Sequence, residues 1–128
     1  MRLLLDTCTF LWAVDDQSQL SEAARSLVID AGNEVFLSAV SAWEIALKQY
    51  GGRLTLSEPA LRFVPKYRAA HRFLELPLDE TSALRLGQLP SAHKDPFDRM
   101  LICQAIAHGL AIVTPDPLIM RYPVRTLW

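Results

Sequence analysis

Short apolar runs that stop abruptly at a polar residue recur along the chain. Residues 3–5 (Leu-Leu-Leu) end at Asp6, residues 35–37 end at Ser38, and residues 110–113 end at Thr114. Runs of this length bounded by turn signals read as buried strands. Residues 74–78 supply a third strand, with alternating polarity, and residues 124–127 a fifth. Helical segments fall between them. The first covers residues 9–14; the second covers 22–29, with Ser21 as its N-cap and Gly32 closing it. Ser38 opens a helix that runs through Glu44 to about Gln49 and is stopped by Gly51 and Gly52. Ser57 is placed to cap the next, with Pro59 tolerated in its first turn and Pro65 expected to kink it. Asp79 starts a helix towards Leu89, residues 90–94 form a loop, and Asp95-Pro96 pairs an acidic cap with proline at the first helical position. That last helix, residues 97–108, is apolar almost all round, so it is expected to be buried before Gly109 ends it. Strands alternating with helices predict an α/β fold: one domain over residues 1–128, with a mostly parallel sheet of roughly five strands covered by helices on both faces.

Composition is consistent with that picture. A chain of 128 residues with 51% hydrophobic content can bury a core without staples. Cys8 and Cys103 lie far apart and outside any metal-ligand spacing, so they read as small buried residues in a reducing compartment. The N-terminal apolar run briefly imitates a signal peptide, but Asp6 interrupts it and no cleavage site follows. With no stretch long enough to span a membrane, the expected location is cytoplasmic.

Net charge is −1, yet the charges are polarised. Between Lys48 and Arg72 six basic residues, Arg62, Lys66 and Arg68 among them, face the single acid Glu58, whereas residues 1–34 hold six acids against Arg2 and Arg25. A basic segment beside an acidic pocket suits a polyanionic substrate, and a solvated helix face explains the same charges.

Four separated acids carry the chemical argument: Asp6, Glu44, Asp98 and Asp116. In an open parallel sheet, ligands bind beyond the carboxyl ends of the strands. Asp6 directly follows the first strand, and Asp116 follows the fourth after Thr114-Pro115. Glu44 lies one to two turns into the helix after the second, and Asp98 in the first turn of the helix before the fourth. Each has a structural explanation: Asp6 as a helix cap, Ser41 to Glu44 as a capping box, Asp95 and Asp98 as N-cap and N3, Thr114 to Asp116 as a turn. The capping box is flawed, because Ser38 is the better-placed cap and leaves Glu44 too far inside the helix. Gathered on one rim, four carboxylates repel unless a cation joins them. Oxygen-only donors suit Mg²⁺ or Mn²⁺, and such a site favours phosphodiester hydrolysis.

The segments Leu-Leu-Leu-Asp-Thr at residues 3–7, Ser-Ala-Val-Ser-Ala-Trp-Glu-Ile ending at Ile45, and His93-Lys94-Asp95-Pro96-Phe97-Asp98-Arg99 followed by Gln104-Ala105 resemble a PIN domain. So do Gly109 to Asp116 and the Tyr-Pro-Val ending at Val124. Nearest among PIN domains are the VapC toxins of type II toxin-antitoxin pairs. The resemblance implies a Mg²⁺-dependent ribonuclease on a five-stranded parallel sheet, usually dimeric and silenced by a cognate antitoxin. Matched by motif, Asp6, Glu44 and Asp98 are the three core acids and Asp116 the fourth. Thr7 and Thr114 would orient ligands or waters. Asp95 is read as a cap, with metal contact as the alternative. Arg99 is placed to touch a scissile phosphate or to pair within the acid cluster, and His93 to act near the site or simply to face solvent.

Two rivals stand beside this reading: a structure-specific DNA nuclease on the same fold, and a non-catalytic binding module whose acids serve only as caps. A phosphoacceptor receiver domain is disfavoured because Asp6 is not followed by a second acid and no lysine occurs after Lys94. An Asp-x-Asp phosphatase is disfavoured because Cys8 stands where the second acid belongs.

Overall fold

The computed structural model describes residues 1–90 and 94–128. Strands β1 (Arg2–Leu5), β2 (Glu34–Ser38), β3 (Leu74–Leu76), β4 (Ala111–Val113) and β5 (Thr126–Leu127) form one sheet in the order β3-β2-β1-β4-β5. Every pairing is parallel. Parallel neighbours need long crossovers. Those are supplied by α1 (Thr7–Asp15), α2 (Glu22–Ile29), α3 (Ala39–Tyr50), α4 (Ala60–Ala70), α5 (Glu80–Leu84) and α6 (Pro96–His108).

The central strand shows why the sequence pattern works. Leu3, Leu4 and Leu5 are all fully buried, and the pleat divides them between the faces. Leu3 and Leu5 pack with Phe10, Ile45 and Phe63, while Leu4 packs with Leu101, Ile102 and Ile112. Two cores therefore sandwich the sheet. From β1 the chain moves outwards through β2 and β3, then returns to the other side of β1 to lay β4 and β5. The carboxyl ends of β1, β2 and β4 border that reversal, where open parallel sheets take ligands.

Local signals set several helix ends. Ser21 Oγ accepts the Ala24 N–H at 2.9 Å and Ser38 Oγ the Val40 N–H at 2.9 Å. Gly109, at φ +66°, ends α6 in the left-handed conformation that a Cβ disfavours. Other ends differ from expectation. α1 starts at Thr7 rather than residue 9. Ser57 does not cap α4: Pro59 is its N-cap and makes no side-chain capping bond, and α4 runs through Pro65 to Ala70. Gln49 of α3 takes the capping part, its Oε1 accepting the Ala60 N–H at 2.7 Å while Nε2 donates to the Glu58 carbonyl at 3.1 Å. β3 stops at Leu76, because Pro77 has no N–H to give the ladder. The helix from Asp79 gives way to a 3₁₀ turn at Arg85–Gln88, and β5 shrinks to two residues.

Among the described residues Arg72 alone combines a side chain with a positive φ, at 60°. Phe73 N–H donates to the Arg68 carbonyl at 2.9 Å and Arg72 N–H to that of Ala69 at 3.1 Å, closing α4 with a left-handed terminus usually filled by glycine. A Cβ there costs about 1 kcal/mol. Arg72→Gly is therefore expected to raise stability in urea unfolding by about 0.5–1 kcal/mol. An unchanged or lower midpoint would mean that the arginine side chain offsets its own strain.

Candidate metal centre

Asp6 leaves β1 as the N-cap of α1, yet its carboxylate makes no capping hydrogen bond. It is buried, and it accepts a 2.7 Å hydrogen bond from Thr114 Oγ1 at the end of β4. The same hydroxyl accepts the Asp116 N–H at 3.0 Å, so one threonine fixes both Asp6 and the turn that carries Asp116. Asp116 is half-buried, with Oδ1 accepting the Leu118 N–H at 2.9 Å.

Glu44 is 5% exposed on α3, and the capping box does not form around it. Ser38 caps the helix instead. Thr7 Oγ1 lies 2.8 Å from both Ser41 Oγ and Glu44 Oε1. With a single proton to give, the Thr7 hydroxyl serves the carboxylate and receives the Ser41 proton. The other oxygen, Oε2, accepts from Lys48 Nζ at 2.5 Å, one turn along the helix. That bond holds the Lys48 pKa above its ordinary value. Lys48 and Ser41 were not singled out by sequence. The Glu-to-Lys spacing of four was the available signal for Lys48, whereas Ser41 was masked by its apparent capping role.

Asp95 caps α6, Oδ1 accepting the N–H groups of Phe97 at 2.9 Å and Asp98 at 3.2 Å. Asp98 is buried in the turn so formed. Arg99 makes no ion pair among the described residues, and its Nε is buried without a hydrogen-bond partner. Its charge acts instead on Cys103, alongside that of Arg85. His93 lies outside the described residues.

Electrostatics show that the acids share one neighbourhood. The Asp6 pKa is raised first by burial, then by the negative charges of Asp116 and Glu44, against the lowering effect of Thr114. Cys8 is exposed rather than buried, because α1 turns it outwards beside the acids. Its thiol is pushed up to about 11 by partial burial and then by Asp6, Glu44 and Asp98, with Lys48 opposing them. One thiol thus senses three of the acids, and Asp6 senses the fourth.

Among the described residues no three acidic, histidine or cysteine side chains stand close enough to share an ion as they lie. The donor set nevertheless fits a hard divalent cation. It is all oxygen, and the repulsion that raises Asp6 is what such an ion would relieve.

The basic segment is divided, with Lys48 against Glu44 and Arg68 elsewhere. Arg68 borders an apolar groove of about 400 Å³ between α3 and α4, against Ala39, Ala42 and Trp43. Ala42 sits two residues from Glu44, which on a helix is close to the opposite face. Lys66 pairs with Glu58 at 2.9 Å and Arg68 with Glu75 at 2.7 Å, while Arg62 is exposed.

Comparison with known proteins places these features in context. The PIN domain family model matches residues 3–123. Ribonuclease VapC22 of Mycobacterium tuberculosis is 30% identical over 115 residues, covering 89% of this chain and 86% of its own. The crystal structure of VapBC2 from Rickettsia felis bound to a promoter DNA fragment superposes with a TM-score of 0.75 at 16% identity, covering 99% of this chain and 98% of that one. DNA-bound VapBC from Salmonella typhimurium gives 0.74 at 23% identity, covering 99% and 97%. Below 25% identity these two structures speak for the fold.

Proposed function

The chain belongs to the PIN-domain family, and on that premise we propose that it is a Mg²⁺-dependent endoribonuclease, with Mn²⁺ as a substitute, acting as the toxin of a toxin-antitoxin pair. The observation that carries this reading is buried Asp6 at the carboxyl end of β1, raised first by burial and then by the charges of Asp116 and Glu44, with Cys8 beside it raised by burial and then by Asp6, Glu44 and Asp98. Acids that served only as caps would have no reason to gather; Asp95 does cap, its carboxylate holding two N–H groups at the start of α6.

The proposed reaction is hydrolysis of an RNA phosphodiester by water attacking in line with the leaving oxygen. A divalent ion held by Asp6, Glu44, Asp98 and Asp116 would supply a more acidic water and neutralise charge building on the phosphate. The chain's own contribution is orientation. Thr114 holds the Asp6 carboxylate and the Asp116 turn, Thr7 holds Glu44, and Asp95 fixes the first turn of α6 so that Asp98 stays at the rim. Such fixed partners keep ligands in place without paying for their ordering during the reaction.

The test is cleavage of single-stranded RNA, and of DNA of the same sequence, in Mg²⁺ or Mn²⁺ with and without chelator. The expected result is RNA cleavage that chelation stops and fresh metal restores. No cleavage of RNA in either metal would overturn the proposal, and preferential cutting of DNA would move the substrate to the other nucleic acid.

A cognate antitoxin, a homodimer and a cytoplasmic location complete the proposal. The relative is named a ribonuclease, and the similar structures were determined as VapBC complexes, which supports a protein partner. No helix among the described residues is long and apolar enough to cross a membrane. Arg62, Lys66 and Arg68 of α4 are assigned to contact with the RNA or with an acidic partner segment, away from the scissile bond. Charge reversal at each is expected to weaken RNA binding and to reduce the salt slope by about one. An unchanged slope would leave α4 as solvated surface.

A further inference from the structure

We infer that Lys48 is the internal cation of the acidic pocket, bound to Glu44 Oε2, and that a divalent ion entering the pocket displaces it. This rests on the reading of Asp6, Glu44, Asp98 and Asp116 as metal ligands and adds to it a residue that sets their affinity. Both oxygens of Glu44 are occupied: Oε1 by the Thr7 hydroxyl at 2.8 Å, Oε2 by the Lys48 ammonium at 2.5 Å. Each oxygen keeps a further lone pair, but an ion bonded to Glu44 lies beside a neutral hydroxyl at Oε1 and a like charge at Oε2, and the crowding and repulsion are relieved by releasing one of the two.

The two competitors differ in what they lose. Thr7 is buried, and its hydroxyl also holds Ser41, so releasing it strands polar groups away from water. The Lys48 side chain is 40% exposed, against 7% for that of Glu44. Its ammonium can swing out on a flexible stem and be rehydrated at little cost. Lys48 is accordingly the group that leaves. Its position also explains why a buried glutamate tolerates acidic neighbours, since a charge as buried as Glu44 needs a partner. Before it leaves, the ammonium opposes an incoming cation by like-charge repulsion, which at these separations is worth at least about tenfold in affinity.

The inference is tested on the full chain by titrating Mn²⁺ and reading free ion by electron paramagnetic resonance. Wild type is compared with Lys48→Gln, Lys48→Arg and Asp6→Asn. Lys48→Gln is expected to bind Mn²⁺ about tenfold more tightly, because glutamine can still donate a hydrogen bond but brings no charge, and Lys48→Arg to stay near wild type. Equal or weaker binding by Lys48→Gln, with Asp6→Asn still losing the ion, overturns the role of Lys48 and leaves the metal site standing. Binding by Asp6→Asn that equals wild type overturns the metal site itself.

A second measurement needs no variant. The chain has three lysines, Lys48, Lys66 and Lys94, so selective ¹³C labelling at Cε resolves them by magnetic resonance. Added Mg²⁺ is expected to shift the Lys48 signal towards that of a solvated lysine while the other two hold still. A Lys48 signal that does not move while the ion binds overturns the exchange.

Discussion

Asp6→Asn is expected to lower RNA cleavage by about 10³-fold or more, equivalent to roughly 4 kcal/mol of barrier, and at the same time to raise the melting temperature. The two effects share one cause. Asparagine keeps an oxygen to accept the Thr114 hydroxyl, so the local geometry survives, but it brings no charge to bind an ion. The stability gain follows from the raised pKa of Asp6, caused chiefly by burial and then by Asp116 and Glu44. Folding that raises an acid's pKa makes the native state bind more protons than the unfolded one once pH exceeds the unfolded value of 3.8. Stability is then lost as pH rises towards the folded-state pKa, and above that pKa the loss is complete. The Asn variant escapes this loss, so its advantage in melting temperature should grow as pH rises above 3.8 and level off once Asp6 of the wild type is ionised. Added Mg²⁺ should stabilise wild type and leave the variant unchanged. Cleavage at the wild-type rate would remove Asp6 from the site, and a lower melting temperature at neutral pH would show that its charge is not penalised.

That cost is built into the site by local rules legible in the chain. Leu-Leu-Leu stopping at Asp6, Ser38 at the end of β2, Asp95-Pro96 at the start of α6 and Gly109 after it are each set by neighbours within a few residues, and the elements start or stop there. Strand ends then bring the acids to one rim, because every pairing is parallel. What was not legible depends on partners distant in sequence or on the face of a helix. The cap of α4 comes from Gln49, eleven residues before the amide it accepts, so Ser57 looked better from local chemistry. Cys8 was expected to be buried because cysteines usually are, and α1 instead turns it towards the acids and solvent. Charge counting puts the whole basic segment near the pocket; Lys48 is there, but a count carries no direction, and α3 separates Arg68 from Glu44. Lys48 was counted within that basic run, although its nearest charge is the glutamate one helical turn before it.

The same non-local logic makes Gln104 the residue whose loss should most damage the fold around the site. It is fully buried in α6, where a polar side chain has no place unless every group is satisfied. Its Oε1 accepts the Ser38 hydroxyl at 2.5 Å, and its Nε2 donates to the Pro77 carbonyl at 3.2 Å. Ser38 Oγ in turn accepts the Val40 N–H, so this side chain ties α6 to the start of α3 and to the segment leaving β3. Gln104→Ala opens a cavity and strands a hydroxyl and a carbonyl, at a cost of about 4 kcal/mol, or roughly 10–15 °C in melting temperature for a chain of this size. Gln104→Leu fills the volume and leaves only the stranded groups, so about half that cost is expected. Because α3 carries Glu44, either variant assayed while still folded should also bind Mn²⁺ more weakly. A Gln104→Ala protein melting within about 2 °C of wild type would mean that water satisfies these groups, and that Ser38 alone holds the helix bearing Glu44 in place.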